Sequence, residues 1–257
     1  MIDTHSHLFL EEFSEDLPQV IERARSAGIT HIFMPNIDST TIDSMLSVCN
    51  TYNDYCFPMI GLHPTSVNAD YEKELEIVAR ELKSFNKYIA IGEVGMDLYW
   101  DKTFLKEQQI VLDKQINWAL EYDLPVVIHG REAFGYIYNV LEPYKNTSLK
   151  GVFQSFKGTD DEAVRILEFS GFLIGINGVV TFKKSRLPEV LTKIPLEKIV
   201  LETDSPYLTP VPNRGKRNES AYVKDTLMKV SDIYRMSPEA VGSVTSENAL
   251  KVFGMLK

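Results

Sequence analysis

The chain opens Met1-Ile-Asp-Thr-His-Ser-His-Leu8, and far downstream it reads Leu201-Glu-Thr-Asp-Ser-Pro-Tyr-Leu208. Where these two stretches lie relative to one another decides the fold. In the first, two imidazoles stand at i and i+2, on one face of an extended strand, so His5 and His7 can offer their rings to a single metal ion. Imidazole with carboxylate suits a catalytic divalent ion that keeps an open coordination position, where water becomes a nucleophile near neutral pH. A His-x-His pair alone is a weak signal. It gains weight from Glu93, His129, Gln154 and Asp204, each at or near the end of a short apolar run.

Around these residues, short apolar runs alternate with longer amphipathic stretches. Strands are predicted at residues 2–7, 30–37, 57–63, 88–95, 125–131, 150–156, 172–177 and 199–204. Helical periodicity covers Leu17 to Ala27, Thr41 to Asn53, Tyr71 to Phe85, Phe104 to Tyr122, Gly135 to Pro143 and Asp161 to Ser170, followed by a closing helical segment from Glu219 to Lys257. Asp38-Ser39-Thr40 offers N-caps, and Ser237-Pro238-Glu239 reads as a helix start. Gly28 and Gly171 stand where a helix-ending residue with positive φ is expected. No repeat, low-complexity tract or Pro/Gly linker divides the sequence, so residues 1–257 read as one domain.

Alternating strands and helices fit either an open doubly wound sheet or a closed (β/α)8 barrel of the TIM type. In an open sheet taken in chain order, strands one and eight lie about 34 Å apart, seven spacings of about 4.8 Å. His5 and Asp204 could not then share a metal. In a barrel those strands are neighbours, and their carboxyl ends open on the face where active sites are built. His5 and His7 close strand one, His63 strand three, Glu93 strand four, His129 strand five, Gln154 strand six and Asp204 strand eight. Isolated strand-end polar residues would not form so nearly complete a ring, and the α/β barrel is the expectation.

Composition bounds the function. The 257 residues are 44% hydrophobic, ample for a large core, and carry a net charge of −9. That balance disfavours a protein that coats nucleic acid through a broad basic surface, while leaving room for a locally basic mouth. Cys49 and Cys56 have no metal-ligand or disulfide spacing and read as buried thiols. No apolar run is long enough to span a bilayer, and the N-terminus lacks the zones of a signal peptide, so a cytoplasmic protein without membrane or obligate protein partner is expected.

The densest basic runs, Lys183-Lys184-Ser-Arg186 and Arg214-Gly-Lys-Arg217, fall after predicted strands seven and eight, where barrel enzymes often hold phosphate. Arg131, just past His129, adds a cation near the same rim. Guanidinium groups suit bidentate phosphate recognition, so Arg131, Arg214, Lys216 and Arg217 are candidate phosphate-binding residues and a phosphoester is the expected substrate. The run 183–186 reads equally well as a solvated helix start. Tyr99, Trp100 and Tyr207 offer faces on which bases can stack, or they pack locally. His31 lies near the start of strand two, away from the active face, and reads as structural.

Met1 to Leu8, Gly61-Leu-His-Pro64, Ile91-Gly-Glu-Val-Gly-Met-Asp97, Leu124-Pro-Val-Val-Ile-His-Gly-Arg131, Leu201 to Leu208 and Pro210-Val-Pro-Asn-Arg-Gly-Lys-Arg-Asn-Glu-Ser220 together resemble the TatD family of metal-dependent deoxyribonucleases, within the amidohydrolase superfamily. The resemblance implies a (β/α)8 barrel that hydrolyses nucleic-acid phosphodiesters, typically DNA from 3′ to 5′, with one or two divalent ions (Mg, Mn or Zn). It implies that His5, His7 and Asp204 bind one metal, that Glu93 is shared between two, and that His129 binds the second. Asp204 is the candidate for orienting or deprotonating water, with Glu93 and His63 as further candidate catalytic residues. The chain departs from the family pattern at Gln154, where the family has histidine, and at Thr65, where another histidine is common. An amide oxygen is a weaker ligand than imidazole toward borderline metals, so the second site is expected to be the weaker. Two alternatives are a hydrolase of small amides or lactones and a weakly catalytic nucleic-acid-binding barrel. Related amidohydrolases often bridge their metals with a carbamylated lysine on strand four, but that strand here offers Glu93 and no lysine, which favours the nuclease branch.

Overall fold

The computed structural model describes residues 1–84 and 87–255. The predicted helix end at Phe85 and the closing residues Leu256 and Lys257 lie outside the described residues. Among the described residues eight strands run in parallel: β1 (Ile2–Asp3), β2 (His31–Pro35), β3 (Cys56–Met59), β4 (Ile91–Asp97), β5 (Val126–Arg131), β6 (Gly151–Phe153), β7 (Phe172–Ile176) and β8 (Ile199–Leu201). Helices alternate with them: α1 (Leu17–Ser26), α2 (Ile42–Thr51), α3 (Tyr71–Ser84), α4 (Leu105–Glu121), α5 (Phe134–Leu141), α6 (Asp160–Leu167), α7 (Leu187–Leu191), α8 (Val223–Tyr234) and α9 (Pro238–Val252).

The strands pair in chain order as two sets, β1 to β3 and β4 to β8. Single parallel bridges join the sets at both seams, Ile60 with Ile91 and Ser6 with Ser205. At the second seam the Asp204 N–H donates to the His5 carbonyl, and the His7 N–H to the Ser205 carbonyl, both at 2.9 Å. The sheet is therefore the closed (β/α)8 barrel the sequence predicts, with the first strand beside the eighth.

Period-two geometry explains how the barrel fills. Ile2, Phe33, Met59, Val127, Val152, Leu173 and Val200, with Ala90 just ahead of β4, form one apolar cluster, which Ala249, Val252 and Phe253 of the C-terminal region close from below. Phe253 meets Phe33 with ring centroids 4.6 Å apart. Burying each of the larger side chains among them stabilises the fold by about 1.5–3 kcal/mol. Two residues further along three of these strands, on the same face, come His129, Gln154 and Glu202, so the layer above the apolar floor is polar.

Several local expectations hold. Asp38 accepts from the Thr40 N–H at 3.1 Å, Ser237 caps α9 through the Ala240 N–H, and Gly28 has φ +80° at the end of α1. His31 stacks on Phe57 with centroids 5.3 Å apart, as a structural residue. Cys49 and Cys56 are buried free thiols. Other expectations need correction. The strands predicted at 2–7, 57–63, 150–156 and 199–204 end at Asp3, Met59, Phe153 and Leu201, because the backbone leaves the ladder to carry its polar side chains inward. Asp204 even sits at φ +60°, a left-handed conformation no strand permits. Gly171 is not a positive-φ cap; a Cβ there would lie 2.6 Å from the Leu149 carbonyl oxygen, so close backbone approach requires the glycine. The short α7 begins directly after the run 183–186, with Arg186 as its N-cap residue, as the helix-start reading of that run has it, while its extent is not predicted because five residues carry too little periodicity to register.

Candidate metal centre

The first two ligand candidates are fixed by a carboxylate they do not share. Asp3, fully buried, accepts from the Thr203 N–H at 2.8 Å and from the Thr203 hydroxyl at 2.7 Å, lashing the N-terminal stretch to the segment after β8. Asn218 donates to the Thr203 carbonyl at 2.9 Å and to the Tyr207 carbonyl at 2.6 Å, holding the turn that carries Asp204. A pair of residues 199 positions apart in sequence, His5 and Asp204, is thereby brought to 3.7 Å.

Around Glu93 the donors converge. Glu93 Oε2 lies 3.1 Å from His5 Nε2 and 3.6 Å from His7 Nε2, while Oε1 lies 3.0 Å from His129 Nδ1 and 3.5 Å from His63 Nε2. The two sets, His5 with His7 and Asp204, and His63 with Glu93 and His129, each hold their donor atoms within 4.8 Å of one another. Nε2 of His5 and of His7 face each other at 3.3 Å, an arrangement that two lone pairs do not favour without a proton or cation between them. Buried and half-buried nitrogen and carboxylate donors in such sets fit a divalent ion of the borderline or hard class.

The charges explain themselves in the same terms. Burial opposes charging His5, but attraction to Glu93 outweighs it and raises its pKa to about 9. His129 behaves alike: burial opposes, hydrogen bonds to Asp97 and Glu93 prevail, and the value is about 9. Burial and the neighbouring charge of His5 push His7 down to about 3, leaving its lone pair free. Glu93 stays ionised although burial works against it, because His5, His63 and His129 hold it well below the carboxylate range.

Three residues outside the predicted set shape the centre. Asp97 takes His129 Nε2 at 2.9 Å, so Nδ1 is the nitrogen turned to Glu93. It lies four residues after Glu93 on β4, and that period-two spacing was the signal available in the sequence. Glu202 is buried between His5 and the Ser155 N–H, which it accepts at 2.5 Å, and Gly175 leaves the room its other oxygen fills. Lys157, in the loop after β6, lines the cleft beside Asp204. Gln154 does arrive at the centre, but with its amide nitrogen donating to Glu93 Oε1 at 2.6 Å; its oxygen has no hydrogen-bond partner among the described residues. His63 stands where the second set needs an imidazole, and its Nδ1 is held by Thr65, 2.6 Å from the hydroxyl.

The centre opens into a cleft of about 540 Å3. Of the four predicted phosphate-binding residues, Arg131 lines it. Arg214 lies over the Phe182 ring at 3.8 Å, and both Arg214 and Lys216 are exposed away from the lining. Arg217 is engaged within the protein, pairing with Asp16 at 2.8 Å and 2.9 Å and lying over Phe13, so its fork is already filled. Trp100 and Tyr207 stand at the cleft, 76% and 51% exposed. No helix of the described residues is long and apolar enough to cross a membrane.

Comparison with known proteins finds relatives that cover nearly the whole chain. The model of the family described as TatD related DNase matches residues 2–254. The chain is 35% identical to an uncharacterized metal-dependent hydrolase, YabD, of Bacillus subtilis (strain 168), with 98% of each chain covered. It is 30% identical, over the whole of both chains, to the 3′-5′ ssDNA/RNA exonuclease TatD of Pantoea ananatis (strain LMG 20103). Among solved structures it is similar to YJJV, a TatD homolog from Escherichia coli K12, at a TM-score of 0.91 and 28% identity, covering 99% of this chain and 98% of that one.

Proposed function

Because this chain belongs to the family of TatD related DNases, and so to the metal-dependent hydrolases, we propose that it hydrolyses nucleic-acid phosphodiesters, as a 3′ to 5′ exonuclease on single-stranded DNA. The observation that carries the reading is the division of Glu93, one oxygen toward His5 and His7 and the other toward His63 and His129, at the base of a cleft rimmed by Arg131 and Lys157. A phosphodiester is an anion, and those cations meet it where a neutral amide would gain nothing from them. The relative named as an ssDNA/RNA exonuclease gives the same direction.

In this reading His5, His7, Glu93 and Asp204 would hold one divalent ion, and His63, Glu93 and His129 would hold a second, with Gln154 completing that shell or bracing Glu93. Such an ion supplies Lewis acidity to a phosphoryl oxygen and activates water. Asp204, whose carboxylate faces the cleft and both strand-one histidines, accepts the proton of the attacking water. Arg131 and Lys157 offset charge developing on the phosphoryl oxygens. The whole of residues 1–257 acts as one barrel domain, in a cytoplasmic setting in which Cys49 and Cys56 stay reduced.

The test is direct. A 5′-labelled single-stranded oligonucleotide incubated with the purified protein and Mg, Mn or Zn should yield a ladder shortening from the 3′ end, abolished by chelator and restored by metal. Absence of cleavage with every metal, alongside turnover of a small amide or lactone, would overturn the reading.

A further inference from the structure

We infer that Trp100, with the Tyr99–Arg131 stack behind it, forms a platform for one unpaired nucleobase at the mouth of the cleft. The inference rests on the nucleic-acid reading above and names how the substrate is gripped.

Tryptophan gains more than most side chains from burial, yet Trp100 is 76% exposed, lining the cleft that Arg131 and Tyr207 also line. Its surroundings are built. The Arg131 guanidinium lies 3.5 Å from the Tyr99 ring centroid and 5.4 Å from that of Trp100, and the two rings meet edge to face at 4.7 Å. The backbone beneath is tied at three points: Asp97 pairs with Arg131 in the β4–β5 ladder, the Leu98 N–H donates to the Arg131 carbonyl at 3.0 Å, and the Tyr99 N–H donates to Asp97 at 3.0 Å. One side of the cluster is thus satisfied and ordered while the indole is left to the solvent.

An aromatic face beside a guanidinium, at the mouth of a cleft that Arg131 and Lys157 line, matches one occupant: a base with its own phosphate. Paired bases have both faces covered by their neighbours, so the platform favours unpaired ends. The cleft is large enough for the terminal nucleotide, and the indole takes the base beside it. Asp97 joins the two, since the carboxylate that orients His129 also fixes the Tyr99 backbone.

The chain has two tryptophans, so Trp118→Phe leaves Trp100 as the reporter. The metal-loaded variant should be titrated with a phosphorothioate pentathymidylate, which resists hydrolysis, and with an abasic chain carrying the same phosphates. The base-bearing chain should quench Trp100 fluorescence at about tenfold lower concentration than the abasic one. In the otherwise native protein, Trp100→Ala should raise KM for single-stranded DNA about tenfold while KM for an abasic chain with ordinary phosphates moves far less, and Trp100→Phe should recover most of that loss. Equal affinity for base-bearing and abasic chains, or an unchanged KM, would overturn the platform while leaving nuclease activity intact. Base-dependent quenching together with no cleavage of unmodified single-stranded DNA under any of Mg, Mn or Zn would support the platform and overturn the nuclease reading.

Discussion

Asp97 Oδ2 lies 2.9 Å from His129 Nε2, and this contact decides which ring nitrogen His129 turns to Glu93. A carboxylate behind a histidine fixes its tautomer and orientation and raises its basicity as a ligand. Asp97→Ala should therefore weaken metal binding at the His63–Glu93–His129 set by about 10- to 100-fold while circular dichroism stays native. Metal titration that is unchanged in the variant would show that Asp97 does not support that set.

The strand-one and strand-eight groups should act as a unit. His5→Ala, His7→Ala and Asp204→Ala are each expected to remove most hydrolysis without unfolding the barrel, since the apolar layer beneath is built from other residues. Single-stranded DNA turnover by any one of them at the wild-type rate, at limiting metal, would count against this site.

Gln154 donates to Glu93 at a position where an imidazole would add a stronger ligand. Gln154→His should tighten the second metal and lower the ion concentration needed for full activity, more for Zn or Mn than for Mg, because imidazole suits borderline ions. Two equally tight metals in the native protein, unaltered by the substitution, would show that His63 and His129 with Glu93 already suffice.

Metal uptake should carry a pH signature. With His5 and His129 both raised to about 9, each holds a proton below that pH in the absence of an ion, and binding must displace it. Apparent metal affinity should rise with pH up to about 9, and calorimetry in buffers of different ionisation enthalpy should detect proton release. Uptake without released protons between pH 6 and 8 would contradict the arrangement.

The rim cations should separate by role. Arg131→Ala and Lys157→Ala are expected to flatten the salt dependence of single-strand binding, each by a slope of about 0.7. Arg217→Ala should leave that slope alone and instead lower stability by about 1 kcal/mol, because it breaks a partly exposed network with Asp16, Arg23 and Glu219. Thermal melts and filter binding at several salt concentrations distinguish the two.

Much of this was determined by the sequence alone. Alternating apolar and amphipathic stretches, together with histidines and carboxylates at successive strand ends, required a barrel, because only closure brings His5 beside Asp204. Those signals are local and periodic, so they survive without coordinates. Tertiary structure decided what depends on distance between elements: that Arg217 spends its fork on Asp16, that His63 joins His129 in presenting a ring to Glu93, and that Asp97 stands behind His129. A side chain's partners are fixed by the packing of segments distant in sequence, and neither periodicity nor composition carries that information.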